Sequence, residues 1–199
     1  MKKTYFQSIF NTCLILFATA LFCILCLFVL SFGMYSLQNI AYLSFLYRLI
    51  STLNTFCSVI LLIATASFTV LFAHEFQFRR ENDNLTNIWK SIKQTLSIRS
   101  FLKQSELSET MITVKEEKVT RYNPINKQFN QTVHEAVVDI QIDKAVVLIK
   151  IPKTQQATKL LKEMETLISE EISSYNPDYY FSQPQRKGKW LFFIGTKRK

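Results

Sequence analysis

The sequence predicts a membrane-anchored α+β protein: a two-helix transmembrane hairpin, then a small cytoplasmic domain of order β-β-β-α-β-β. Three observations predict it. The stretches Ile9 to Phe32 and Phe56 to Ala73 are apolar and carry no charge, and a helix of ~20 such residues crosses the ~30 Å hydrocarbon core. Basic residues gather beyond the second stretch. From Met111 onward, short alternating or β-branched runs replace the helical period. The 199 residues therefore divide into a hairpin over 1–75, a connecting amphipathic helix over 76–104, and the α+β domain over 105–199.

The hairpin is read first. Between Lys3 and Arg48, and again between Arg48 and Glu75, no formally charged side chain occurs. A soluble helix is rarely apolar all round, so the spans are placed at about 9–32 and 56–74. Met1-Lys2-Lys3 and Ala18-Thr19-Ala20 imitate a secretory signal. The apolar run outlasts the ~7–15 residues of a cleavable core, which favours an uncleaved anchor. Lys2 and Lys3 precede the first span, and Arg79, Arg80, Lys90, Lys93, Arg99 and Lys103 follow the second. The excess of cations at these ends puts both termini in the cytoplasm of a multi-pass protein of the cell membrane. The loop of about 33–55 then faces outside. Its Tyr35, Tyr42, Phe45 and Tyr47 suit a short interfacial helix, with receptor binding as the alternative.

All four cysteines, Cys13, Cys23, Cys26 and Cys57, fall within the apolar stretches. Cys23-x-x-Cys26 has the spacing of a metal or redox pair, but lipid disfavours the thiolate that such chemistry needs. His74 and Glu75 are placed at the inner boundary beside Arg79 and Arg80.

After the spans, Asn82, Asp83 and Asn84 offer N-caps. Leu85, Ile88, Trp89, Ile92 and Leu96 then form an apolar stripe. This helix lies on the inner leaflet or against the domain, and Arg79, Arg80 and Trp89 are the expected membrane-interface residues. Strands are expected over Met111–Tyr122, Ala136–Ile142 and Ala145–Ile151. Asn123-Pro124 breaks the first from the second, and Pro152 ends the third. A helix from Gln155 to about Ser173 follows, with Lys159 and Glu163 paired on its exposed side. Asn176-Pro177 stops it. Tyr179–Gln183 and Trp190–Thr196 are the last strands, joined through Pro184–Gly188.

Chemistry-bearing patterns are few. The three glycines, Gly33, Gly188 and Gly195, make no phosphate-binding loop, which needs backbone free of Cβ close to phosphate. His74 and His134 join no cluster with metal-ligand spacing. Glu116-Glu117 would point to opposite faces of a strand. No nucleophile elbow accompanies the serines. The expectation is a protein that is not an enzyme and holds no cofactor or metal.

Charge points to partners instead. The chain carries a formal +9. Of the 24 basic residues only Lys2, Lys3 and Arg48 precede residue 76, and of the 15 acidic residues only Glu75 does, which leaves 76–199 at +7. A positive domain beside a bilayer attracts anionic lipid or nucleic acid. Arg186, Lys187, Lys189, Lys197, Arg198 and Lys199 fall within fourteen residues that contain no acid, with Trp190, Phe192 and Phe193 among them. Two readings stand side by side. Cations and rings together can bind phosphate and stack bases. Alternatively the rings are core strand residues and the charges solvate the strand ends.

The segment VVLIKIPKTQQATKLLKEMETLISEEI, followed by DYYFSQPQRKGKWLFFIG, resembles the region before the motor in FtsK/SpoIIIE-like coupling proteins of Gram-positive conjugative elements. In that family too a strand ends at proline, a helix follows, and two strands with a basic or glycine turn precede the ATPase. The family's nucleotide-binding residues have no counterpart here. The resemblance implies a motorless relative of the membrane-anchor and pre-motor region. That would be a non-enzymatic accessory component of a DNA-transfer machine, working through contacts with other proteins of a membrane complex, a motor ATPase among them, and with self-association open. The alternative is a membrane-tethered protein that binds nucleic acid or anionic lipid.

Overall fold

The structure, a computed structural model, describes residues 2–38, 40–107, 111–112, 118–119 and 122–198. The chain divides into two compact units. One comprises residues 8–78, and the other joins residues 1–7 to residues 79–199.

The first unit holds most of two long apolar helices, α1 (Tyr5–Leu37) and α2 (Ser44–Asn82). Both are long and apolar enough to cross a membrane. They run past the expected ends because nothing in Gly33–Leu37 or Ser44–Thr55 breaks a helix. The expected long loop is thus corrected to a short connection whose described residues include a 3-10 turn, Ala41–Leu43. The Phe17 and Phe68 rings meet at 6.2 Å, and Phe68 stacks on Phe72 at 5.7 Å. A Cβ on Gly33 would lie 3.9 Å from the Ile50 side chain. Polar side chains on these helices bond back into their own backbone. Thr19 donates to the Ile15 carbonyl at 2.9 Å, Ser58 to that of Asn54 at 2.9 Å and Thr65 to that of Leu61 at 2.8 Å, which leaves little polarity facing outward.

The second unit is a mixed helix-and-sheet domain. Its elements are α3 (Leu85–Leu102), β1 (Met111–Ile112), β2 (Lys118–Val119), α4 (Pro124–Val133), β3 (Val137–Ile140), β4 (Lys144–Lys150), α5 (Gln155–Glu163), α6 (Glu165–Tyr175), β5 (Tyr179–Phe181), β6 (Gln185–Lys187) and β7 (Trp190–Lys197). The expected β-β-β-α-β-β order is therefore corrected. In place of one strand over Met111–Tyr122, β1 and β2 pair antiparallel with Met111 opposite Val119. The Glu116-Glu117 pair lies outside the described residues. Asn123-Pro124, expected only as a break, starts a helix: Asn123 accepts from the Ile125 and Asn126 N–H groups, and proline takes the first turn, where its missing N–H costs nothing. The long helix after Pro152 is two, meeting at Met164.

The main sheet is antiparallel, in the order β3-β4-β7-β5, with β6 also beside β7. Val138, Val147 and Phe193 stand in one row across it. With Ile140, Ile149 and Leu191 they face Phe129, Leu161, Ile168 and Ile172 of the helices, and this is the core. On that face the Phe181 ring of β5 lies against Gly195 of its neighbour β7, and a Cβ on Gly195 would meet that ring at 2.8 Å, so the ring would have to shift.

The opposite face is buried as well. Val137, Leu148 and Phe192 are nearly inaccessible, and residues 2–7 lie on this side. The Gln7 side-chain amide donates to the Val146 carbonyl at 3.1 Å, and the Lys3 ammonium sits 3.3 Å over the Trp190 ring. Residues on both sides of the long hairpin thus belong to the domain. Of the segment 76–104, expected as a connecting helix on the inner leaflet or against the domain, the part from Arg79 onward groups with the domain.

Candidate functional site

Helix α3 organises the site. Asn84 caps it by accepting from the Thr86 N–H at 3.1 Å. The face turned to the domain is polar: Asn87, Ser91 and Thr95 are buried with Ile88, Ile98 and Leu102. The reason is the free edge of β3. Backbone groups of Ala136, Val138, Ile140 and Ile142 point away from β4 and would be orphaned. Ser91 Oγ accepts from the Ile140 N–H at 2.9 Å. Thr95 Oγ1 accepts from the Val138 N–H at 2.9 Å and donates to its carbonyl at 3.3 Å. Arg99 Nε donates to the Ala136 carbonyl at 2.8 Å, and Asp83 accepts from the Ile142 N–H at 2.9 Å. Four helical residues rise ~6 Å while two strand residues rise ~6.8 Å, so an i, i+4 ladder keeps step with every second residue of a strand. Burial lowers the Arg99 guanidinium to about 10.

Arg79 completes this edge. The sequence expects it at the membrane interface, and its side chain is 0% exposed and turned into the domain. The guanidinium pairs with Asp139 and Asp83 and donates to the Ile140 carbonyl, with the Phe6 ring 5.4 Å away. Asp139 is itself buried. Arg80 and Trp89, the other two interface residues, are exposed, Trp89 at 70%.

The face of α3 turned away from β3 is apolar and uncovered. Leu85, Trp89 and Leu96 are exposed and Ile92 is half-buried. The expected stripe of five is therefore split, with only Ile88 turned fully inward. Lys90 and Lys93 run beside it and line a cleft of about 330 Å³ with Gln94, Ser97, Tyr175 and Asp178. The cleft floor is self-satisfied: Gln94 and Asn176 exchange amide hydrogen bonds at 2.9 and 2.8 Å.

The basic tail is divided. Arg186 and Lys187 lie on β6 and Lys189 in the following turn, all exposed, with Gly188 at φ +60°. Lys197 and Arg198 lie at the far end of β7, roughly 24 Å away at ~3.4 Å per residue. Lys199 is outside the described residues. Phe192 and Phe193 are buried, and Trp190 carries Lys3. Phe192 and Phe193 thus belong to the strand's own packing, the Trp190 ring is half-buried under Lys3, and the described cations form two groups rather than one. Burial and Lys150 hold the Lys3 ammonium below its ordinary pKa, against the opposing effect of Glu135.

Reasoning from hydropathy missed Ser91, Thr95, Arg99 and Asp139. A signal was present: Arg79, Asp83, Asn87, Ser91, Thr95 and Arg99 recur every fourth residue. Comparison of the chain with family models, curated proteins and solved structures found no match.

Proposed function

We propose that this chain is a two-span protein of the cell membrane with both termini cytoplasmic. In this reading it is a non-enzymatic accessory component of a DNA-transfer machine and acts through protein contacts. One observation carries the membrane reading. The apolar sides of α1 and α2 are uncovered, with Phe28, Phe32 and Val70 each at least 70% exposed, and so much exposed apolar surface needs lipid around it. The domain takes in residues from both sides of this hairpin, as a platform held at the bilayer would. DNA transfer is supported by the order of parts named above: a strand ending before Pro152, helices, then strands joined through Gly188.

A reporter fused after Lys199 is expected to be active in the cytoplasm, and external activity would reject the topology. Affinity purification of the full chain from detergent-solubilised membranes is expected to recover a DNA-transfer motor. Recovery of the chain alone would remove that assignment while leaving the topology intact. The alternative, binding of nucleic acid or anionic lipid through Arg186, Lys187 and Lys189, is favoured by the exposure of that hairpin. It requires an affinity that falls steeply with salt.

A further inference from the structure

We infer that the outer face of α3 is a docking surface for the headgroup layer of an anionic bilayer, with Leu85, Trp89 and Leu96 entering it and Lys90 and Lys93 meeting lipid phosphate. The inference rests on the reading of α2 as a membrane span.

The occupant follows from position and chemistry. α3 starts at Leu85, three residues after α2 ends at Asn82, and three extended residues reach at most ~11 Å. The span is expected to end near residue 74, and the eight residues from there to Asn82 rise ~12 Å along α2, so a link of this length leaves α3 within reach of the headgroup layer. Its inner face is committed to β3 through Ser91, Thr95 and Arg99, so its roll about its own axis is set. The side left outward holds Leu85, Trp89 and Leu96, spaced four and seven residues apart. An indole among aliphatic side chains suits the headgroup boundary, where one end of the ring is wet and the other apolar. Lys90 and Lys93 flank the stripe on one side only, at the cleft, and neither makes an ion pair among the described residues. Asp178 is the one carboxylate in that cleft, so the lysines leave it net positive. An apolar stripe beside a row of cations is the pattern of an interfacial helix, and anionic lipid strengthens its binding.

The test uses the full chain reconstituted in vesicles of phosphatidylcholine with or without phosphatidylglycerol. A Trp190→Phe background makes Trp89 the sole indole, and brominated lipids report its depth. Bromine near the headgroups is expected to quench Trp89 about twofold more than bromine at the acyl ends, and more in anionic than in neutral vesicles. Lys90→Gln with Lys93→Gln should abolish the difference between the two lipids while leaving domain proteolysis unchanged. Phe17→Trp, in a chain with both native tryptophans replaced by Phe, reports the span itself. If that probe is quenched by deep bromine and Trp89 is not quenched at all, the docking surface is overturned and the span reading stands. If neither is quenched, both fall. Protection of Trp89 from lipid bromine and from aqueous iodide alike would mean that protein covers this face, which also overturns the lipid assignment.

Discussion

The two edges of the central sheet meet the same physical demand by different means. Along β3, six outward backbone groups of Ala136, Val138, Ile140 and Ile142 are bonded by Arg79, Asp83, Ser91, Thr95 and Arg99. Along β6 no such cover exists among the described residues. Gln185, Arg186 and Lys187 stand exposed, with Pro184 before them. An open edge invites pairing with another chain, and charge and proline discourage it. The covered edge spends buried polar groups and becomes rigid and intolerant. The charged edge costs little and should tolerate change. The difference also assigns roles: the β3 edge carries structure, and the β6 hairpin is free surface.

Breaking the covered edge at its ion pair should have the largest effect. Arg79→Met leaves Asp139 buried without its partner, and a loss of ~3–5 kcal/mol is expected. Denaturant unfolding of the full chain in detergent micelles would measure it, and a loss below ~1 kcal/mol would mean that this pair behaves as a surface contact. Gly195→Ala tests the middle of the sheet, where the added methyl collides with the Phe181 ring. About 1–3 kcal/mol is expected, and Phe181→Leu in the same chain should recover part of it.

Thr95→Val keeps the shape but removes the hydroxyl, leaving the Val138 N–H unpaired beneath α3. About 1–3 kcal/mol is expected, with faster hydrogen exchange confined to Val138. Tyr179 gives a smaller and pH-dependent effect. Its hydroxyl donates to the Gln141 carbonyl at 2.8 Å, and burial raises its pKa. The folded state therefore keeps a proton that the unfolded state releases. This contribution is present in full below the unfolded pKa of about 10 and is lost as pH rises through the folded value. Tyr179→Phe should cost about 0.5–1.5 kcal/mol at neutral pH and flatten the alkaline decline. The smallest effect belongs to the charged edge. Replacing Arg186, Lys187 and Lys189 by Gln should change stability by less than about 0.5 kcal/mol, and a larger loss would mean that this edge is covered after all.

What could be read beforehand depended on locality. The two apolar helices were legible because hydropathy needs no partner to be seen, although their ends were not, since residues 33–37 and 44–55 suit helix and loop alike. β4 and β7 were legible as β-branched and aromatic runs. α4 was missed because Asn123-Pro124 is both a stop for one element and a start for the next. The apolar stripe of α3 was legible, but not its direction. Expected as one surface, it delivers Ile88 to the domain and leaves Leu85, Trp89 and Leu96 outside.

By itself, then, the sequence determined the class of this protein: long apolar helices, a following α+β region, and a positive balance of which +7 out of +9 falls in residues 76–199. Each follows from composition and short-range periodicity, which act over a few neighbouring residues. The tertiary structure alone decided that Arg79 is buried, that Ser91 and Thr95 serve a strand 43 to 49 residues away, and that the basic tail is two groups and not one. The physical reason is that an unpaired backbone N–H or C=O at a sheet edge has no signature in its own side chain. Which hydroxyl or guanidinium must answer it is settled only when the strand order places that edge against a particular helix.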